Sequence, residues 1–133
     1  MHRMKLSEMK TNEELIAEQL RTDPEFRAEW DRTALARAVA LAVVRYRAEH
    51  ELSQRDLAQR LGMKQPQVAR LELGDVNPSM DTLMRISSHL GIEFTIDVRP
   101  SGAPARNVTK RAQSEYVVGR FSTDKAELLV AVR

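Results

Sequence analysis

The chain has 133 residues, of which 42% are hydrophobic and 30% charged, with a formal net charge of +2. This length and apolar content fit one small domain with flanking segments. The absence of cysteine excludes disulfides and thiolate metal sites, and no apolar run approaches the roughly 18 residues of a membrane-spanning helix. Since the first residues also lack the apolar stretch of a secretion signal, we expect a cytoplasmic protein that does not associate with a membrane.

The small net charge hides an uneven distribution along the chain. Residues 11–31 hold seven acidic side chains against two arginines, whereas residues 32–133 hold 16 basic against 11 acidic side chains. Such a split indicates either two partners of opposite charge or an ordinary solvated acidic surface. We interpret residues 1–31 as an acidic N-terminal arm that binds a protein partner.

Two helices are predicted before residue 50. Residues 12–20 fit a short helix with Asn12 as its cap, and Asp23 and Pro24 suit the start of the next helix. That second helix runs from about Pro24 to His50, with a kink allowed near residues 31–33. Its core stripe recurs at helical spacing and consists of Leu35, Val39, Ala42, Val43 and Tyr46.

Three short helices follow, each with signals for its start or end. Ser53 caps the first, which ends at Gly62, and a second helix ends at Gly74. Ser79 caps the third, which ends at Gly91.

Residues 92–99 alternate apolar with polar side chains, which predicts a strand with one apolar face. The apolar positions are Ile92, Phe94, Ile96 and Val98. Because a lone strand needs hydrogen-bond partners, it can pair with its copy across a two-fold axis, with a C-terminal hairpin, or with another protein. We favour pairing with its copy, which would make these four side chains the dimerisation surface of a homodimer.

Residues 100–133 are interpreted as a linker and a C-terminal extension. Pro100 to Pro104 has linker composition, and residues 105–113 are polar and basic. The apolar runs at residues 115–121 and 126–133 fit a small β-hairpin, although the second run equally fits a short helix capped by Ser122.

Residues 53–74 meet the requirements of a helix-turn-helix motif. Ala58 is small enough for two helices to cross closely, and Gly62 suits the tight turn between them. The apolar wedge between the helices consists of Leu57, Leu61, Val68 and Leu71. An ordinary helical hairpin, the alternative, matches only part of this pattern.

The outward side chains of the second helix suit double-stranded DNA. Gln65 and Gln67 can pair with adenine edges and Arg70 with guanine, while Lys64 and the helix N-terminus can hold phosphates. Each of these residues taken alone would be an ordinary exposed side chain. Their convergence on one face favours a DNA operator as the partner. Two further phosphate candidates are Gln54 and Asn77.

The stretch LSQRDLAQRLGMKQPQVARLELGDVNPSMDTLMRISSHLG resembles the Cro/phage-repressor (Xre) family. The motifs LSQ-x-x-LA-x-x-LG, Q-x-x-x-x-R-x-E-x-G and NPS-x-x-T-L carry the resemblance, which covers about residues 35–91. It implies a mostly α fold, with a five-helix phage-repressor-like domain at residues 32–91 followed by the strand at residues 92–99.

The same resemblance assigns roles to individual residues. It implies base reading by Gln65, Gln67 and Arg70, and a phosphate contact by Gln54. The resemblance also implies a structural ion pair between Arg47 and Glu72. Pro66 departs from the family pattern because proline cannot donate to a base, although it can touch a thymine methyl group.

A second resemblance covers residues 20–100. The segments LRTDPEFRAEWDRTALARAVALAVVRYRAEHELSQ and GIEFTIDVRP look like antitoxins of the HigA type, which bind a RelE-like toxin, usually HigB, and repress the shared promoter. The resemblance implies a HigB/RelE-like toxin as partner, and the acidic arm suits a basic one. Its apolar anchors, which equally suit packing against the long helix, would be Leu15, Ile16, Leu20, Phe26 and Trp30.

Three other functions fit part of the sequence. A free-standing repressor without a toxin explains residues 35–99 equally well and uses residues 1–31 as a dimerisation arm. A pure protein-interaction module is disfavoured by the intact recognition face. An enzyme is disfavoured because the three histidines are scattered and no nucleophile has a recognisable setting; no catalytic residue, metal or cofactor is expected. DNA binding would place the protein at the nucleoid in the cytoplasm.

Overall fold

The computed structural model of the protein describes residues 11–102, 117–123 and 125–133. The described elements, in chain order, are α1 (Asn12–Thr22), α2 (Pro24–Arg32), α3 (Ala34–Glu49), α4 (Gln54–Leu61), α5 (Gln65–Leu73), α6 (Met80–Leu90), β1 (Phe94–Pro100), β2 (Val117–Ser122) and β3 (Ala126–Val132). The chain divides into two compact units, residues 1–30 and 31–133. The first ten residues of the predicted arm and the basic segment at residues 105–113 lie outside the described residues.

The first helix begins at Asn12, but its cap is Thr11 and not Asn12 as predicted. The Thr11 hydroxyl accepts the Glu14 amide at 3.2 Å, and the Glu14 carboxylate accepts the Thr11 amide at 3.2 Å. This reciprocal box satisfies two amides, whereas Asn12 lies inside the helix. The next helix starts as predicted, since Asp23 Oδ1 accepts the Phe26 amide at 3.1 Å.

The long helix predicted from Pro24 to His50 is two helices. Thr33 separates them with φ −99° and ψ 20°, so the allowed kink is a full break. A continuous helix would join the Ala36 amide to the Arg32 carbonyl. Here the side chain of Asn77 bridges them, accepting from Ala36 N at 3.1 Å and donating to Arg32 O at 2.9 Å. The described residues therefore hold six helices, where the sequence predicted five along the chain, and four of them, α3 to α6, lie within the predicted domain at residues 32–91.

The second unit has one main core between its helices and the inner face of its sheet. Five alanines on α3 are buried, which lets neighbouring elements approach that helix closely. The largest fully buried side chains are Val39, Val43, Leu57, Leu61, Val68, Ile86 and Val130. The mostly helical helix-turn-helix fold predicted from the sequence is confirmed.

The three strands form an antiparallel sheet in the order β1-β3-β2. β1 pairs with β3, with Ile96 opposite Val130, and β2 pairs with the other side of β3. The partner of β1 within the chain is therefore the C-terminal hairpin, one of the three partners considered from the sequence, and pairing of its outer edge with a copy stays a prediction. Residues 126–132 are a strand and not the alternative helix capped by Ser122. Because Val130 is fully buried, the C-terminal run completes the core.

Side-chain contacts also join β1 and β3 on the other face of the sheet. Arg99 and Glu127 face each other across β1 and β3, with Nε and Oε1 2.7 Å apart and both side chains largely buried. Leu129 and Ala131 are buried on the same face. The pairing of β1 with β3 is thus supported from both faces.

Candidate nucleic-acid interface

The helix-turn-helix is built from α4, a three-residue turn and α5. Ser53 caps α4, since its hydroxyl accepts the Asp56 amide at 3.1 Å and the Asp56 carboxylate accepts the Ser53 amide at 3.0 Å. Gly62 ends α4 with φ 66°, a backbone conformation that suits glycine. Ala58 is buried between the helices, so the turn chemistry and the close crossing are as predicted.

The predicted DNA-reading residues of α5 are exposed. Helical spacing places Pro66, Arg70 and Leu73 on one side of α5, opposite the buried Val68. Gln65 and Gln67 lie on the two opposite flanks of this side of the helix. Leu73 is 72% exposed and was not singled out from the sequence, because exposed leucines carry no signal of their own.

The start of α5 is held by an unusual cap. Lys64 occupies the N-cap position, where its side chain has no acceptor to offer. Instead, Oε1 of Gln67 accepts the Lys64 main-chain N–H at 2.9 Å. A predicted base-reading residue is therefore engaged within the helix end.

Gln54, Arg47 and Glu72 meet beside the recognition helix. Arg47 Nε lies 2.6 Å and Arg47 Nη2 3.3 Å from the two carboxylate oxygens of Glu72, whose side chain is only 7% exposed. Gln54 Nε2 donates to the same carboxylate at 3.0 Å, and Arg47 also reaches the Leu52 carbonyl. One side-chain N–H of Gln54 is thus already engaged, and its phosphate contact stays a prediction.

Asn77, which was predicted to contact phosphate like Lys64 and Gln54, holds two helices together in the structure. Both ends of its carboxamide are engaged at the α2–α3 break described above. No pattern in the sequence indicates this contact, because the partners are main-chain atoms 41 and 45 residues away. A phosphate contact by this side chain would compete with those two hydrogen bonds.

Arg85 of α6 supports the turn and was missed by sequence reasoning. Its Nη1 donates to the carbonyls of Gly62 at 3.0 Å and Leu61 at 3.3 Å. These carbonyls end α4 and would otherwise lack helical partners. A hollow of about 270 Å³ beside the turn is lined by Gly62, Met63, Gln67, Asp81, Thr82 and Arg85.

Two pKa values are shifted in this region. Main-chain and side-chain hydrogen bonds from Ser53 lower the pKa of the Asp56 carboxyl, because they stabilise its charged form. Burial lowers the pKa of Arg37, opposed by the nearby charge of Asp31. Arg37 lies on α3 and donates to Thr33 Oγ1 at 2.8 Å.

The predicted toxin anchors lie on α1 and α2, where no residue is buried. Leu15 is 50% exposed, and Ile16, Leu20, Phe26 and Trp30 are of intermediate exposure. The rings of Phe26 and Trp30 contact each other, with centroids 5.9 Å apart. These five side chains therefore keep accessible apolar surface on an acidic helical pair.

The predicted dimerisation residues divide into two groups. Ile92 is buried, and Phe94 and Ile96 pack against the domain's own core, so these three side chains serve the fold. Val98 is 68% exposed. A dimer contact through β1 would use the main chain of its outer edge together with Val98, and not the apolar face proposed from the sequence.

Within the part of the chain that the structure describes, no group of three or more His, Cys, Asp or Glu side chains could hold a metal ion. Among the same residues, no helix is both long and apolar enough to cross a membrane.

The two capped helices, the glycine turn and the exposed polar side chains of α5 define a helix-turn-helix DNA-binding protein. A helix-turn-helix family model (HTH_3) matches residues 43–96. The chain is 30% identical over 92 residues to an "Uncharacterized HTH-type transcriptional regulator" of Haemophilus influenzae, covering 69% of this chain and 90% of the relative. The chain therefore belongs to the helix-turn-helix family of transcriptional regulators, as the resemblance to the Xre family implied.

Two further relatives are similar over shorter stretches. "Antitoxin HigA1" of Mycobacterium tuberculosis is 33% identical over 75 residues, which cover 56% of this chain and 50% of the relative. An HTH-type transcriptional regulator of Methanocaldococcus jannaschii is 35% identical over 49 residues, or 37% of this chain and 74% of the relative. No solved structure matches the chain significantly.

Proposed function

We propose that this DNA-binding regulator is an antitoxin that binds a HigB/RelE-like toxin through its N-terminal arm and represses its own promoter. The observation that carries the proposal is the accessible surface that five apolar side chains keep on an acidic helical pair, with Leu15 exposed and the other four of intermediate exposure. Exposed apolar groups ringed by charge are typical of interaction sites, and negative charge suits a basic, RNA-cleaving partner. The similarity to a relative named HigA1 supports the same reading.

On DNA, the proposed mechanism uses two copies of α5. A dimer places them in successive major grooves about 34 Å apart, and contacts to phosphates supply the salt-dependent part of the affinity. Gln65 and Arg70 read base edges, while Lys64 holds phosphate. This activity would place the protein at the nucleoid in the cytoplasm.

The homodimer is proposed to form through β1. β1 is an edge strand of the sheet, and its outer side has no partner strand among the described elements. Such an edge offers unpaired main-chain groups to another strand. Antiparallel pairing of two β1 strands would fix the separation of the two recognition helices.

A free-standing transcriptional regulator is the second candidate. It is favoured by the Haemophilus influenzae relative, of which this chain covers 90% and whose name mentions no toxin. In that case the acidic arm would serve dimerisation, and no toxin would accompany the protein.

Co-expression with the product of the neighbouring gene tests the proposal. The full chain should relieve growth arrest by a RelE-like product and co-purify with it. A Phe26→Ser/Trp30→Ser variant should lose both effects while binding the same operator. Met84→Ser is the matched control, since Met84 is 64% exposed on α6, outside the arm.

Two outcomes would contradict the antitoxin assignment. Full neutralisation by the Phe26→Ser/Trp30→Ser variant would remove the arm from the toxin site. A neighbouring product that neither arrests growth nor binds the chain would favour the free-standing regulator.

A further inference from the structure

The N-terminus of the recognition helix lacks the usual kind of cap. Cap residues such as Ser, Thr, Asp or Asn accept a main-chain N–H with a side-chain oxygen. Lys64 stands in this position with extended backbone angles of φ −82° and ψ 147°, and its ammonium group can only donate. The entry into α5 must therefore be fixed by another group.

Gln67 supplies that group. Its Oε1 accepts the Lys64 main-chain N–H at 2.9 Å, which is the half of a capping box that the third helical residue normally contributes. The side chain also lines the hollow beside the turn, together with Gly62, Arg85 and Thr82. It is thus directed back toward the turn, away from the side of α5 that carries Pro66 and Arg70.

This geometry conflicts with adenine reading by Gln67. A glutamine that reads adenine uses Oε1 to accept from N6 and Nε2 to donate to N7. The Oε1 atom of Gln67 is already engaged, which fixes the plane of its amide against the helix end. Gln65 has no such contact among the described residues and remains able to present both atoms.

We propose that Gln67 is a positioning residue that fixes the start of the recognition helix, and that base reading on α5 falls to Gln65, Pro66 and Arg70. The inference rests on the DNA-binding role of the family. It reassigns one of the three polar side chains that the sequence marked as base readers.

The test compares Gln67→Met with Gln65→Met, two changes of the same chemistry on one helical turn. For each full-length variant, preferred sites are selected from a random duplex library, affinities are titrated and thermal unfolding is measured. Gln67→Met should select the wild-type site, bind every sequence about three- to tenfold more weakly and melt a few degrees lower. Gln65→Met should melt like the wild type and change the preferred base at one position.

A rescue separates positioning from reading. Adding Lys64→Ser to Gln67→Met provides a hydroxyl that can share the amide of residue 67, which donates to the carbonyl of residue 64 at 3.0 Å, and this should restore part of the melting temperature. If Gln67→Met does not fold, Gln67→Glu keeps the acceptor oxygen and should melt like the wild type while selecting the wild-type site.

The proposal is overturned if Gln67→Met or Gln67→Glu selects a different base, if Gln67→Met leaves melting and affinity unchanged, or if Lys64→Ser gives no rescue. A wild-type chain that selects no sequence at all would instead refute DNA recognition by α5, which is a separate result.

Discussion

Arg47 and Glu72 tie α3 to the recognition helix through two hydrogen bonds, at 2.6 and 3.3 Å. The carboxylate is largely buried and also accepts from Gln54 at the start of α4. Three helices therefore converge on one carboxylate. The Glu72 carboxylate therefore links α5 to both α3 and α4.

Removing one partner of this pair should destabilise the domain. Arg47→Met leaves the Glu72 charge buried without its main partner, and we expect a loss of roughly 2–4 kcal/mol in urea unfolding. The double variant Arg47→Met/Glu72→Met should lose clearly less than the two single variants summed, because the stranded charge is gone. Strict additivity would contradict the coupling of the two residues.

Gly74 offers a test of how closely α5 approaches α3. A Cβ at Gly74 would lie 3.2 Å from the Ala40 Cβ, at φ 68°, whereas one at Gly91 would meet nothing within 4 Å at φ 71°. Gly91→Ala should cost about 1 kcal/mol from backbone strain alone. Gly74→Ala should cost about 1–3 kcal/mol more because packing is disturbed. Equal unfolding free energies for the two variants would argue against close packing at Gly74.

Asn77→Ala should lower stability by about 1–2 kcal/mol, since it strands one amide and one carbonyl at the α2–α3 break. Asn77→Asp keeps the acceptor for Ala36 N but loses the donor to Arg32 O, and it should fall between the alanine variant and the wild type. Chemical denaturation measures both. An alanine variant as stable as the wild type would show that the bridge contributes nothing.

Acid should remove part of the stabilisation at the start of α4. Because the pKa of Asp56 is lowered from 3.8 in the folded state, its contribution is present above pH 3.8 and is lost as the pH falls through the lower folded value. Asp56→Asn should flatten stability against pH in that acidic range. Ser53→Ala retains the main-chain N–H that is the main cause of the shift, so it should keep most of the acid dependence while losing about 1 kcal/mol at neutral pH.

Arg70 and Lys64 should differ in how they bind DNA. Arg70→Ala should cost roughly 1–3 kcal/mol on the selected site and relax one base position. Lys64→Ala should weaken binding equally on all sequences and reduce the slope of log affinity against log salt by about 1. Salt titrations on selected and scrambled duplexes measure both effects. Unchanged affinity for both variants would mean that the DNA-contacting face lies elsewhere.

The helix-turn-helix could be predicted because its requirements are local. Ser53, Gly62 and Gly74 mark helix ends by their own backbone chemistry, and the apolar wedge repeats at helical spacing. The cap of α1 was misplaced by one residue because Thr11 and Asn12 are both good caps. Only the glutamate three residues after Thr11 completes a box there.

The remaining features depend on contacts between distant parts of the chain. The partner of β1 is about thirty residues away, and alternation within the strand cannot distinguish a hairpin of the same chain from a second copy. Arg85, Asn77 and Gln67 bind main-chain atoms, which leave no pattern in side-chain types. Gln67 in particular was expected to read bases because an exposed glutamine on a recognition helix looks the same whether or not its oxygen is engaged.

The bridge made by Asn77 has a consequence for how such proteins diversify. Its two partners are a main-chain carbonyl and a main-chain amide, so these two hydrogen bonds do not depend on the side-chain type at residue 32. The sequence and charge of the segment before the junction can therefore change while Asn77 still makes both hydrogen bonds. Exchange of one N-terminal segment for another would then leave the fold of the DNA-binding domain intact.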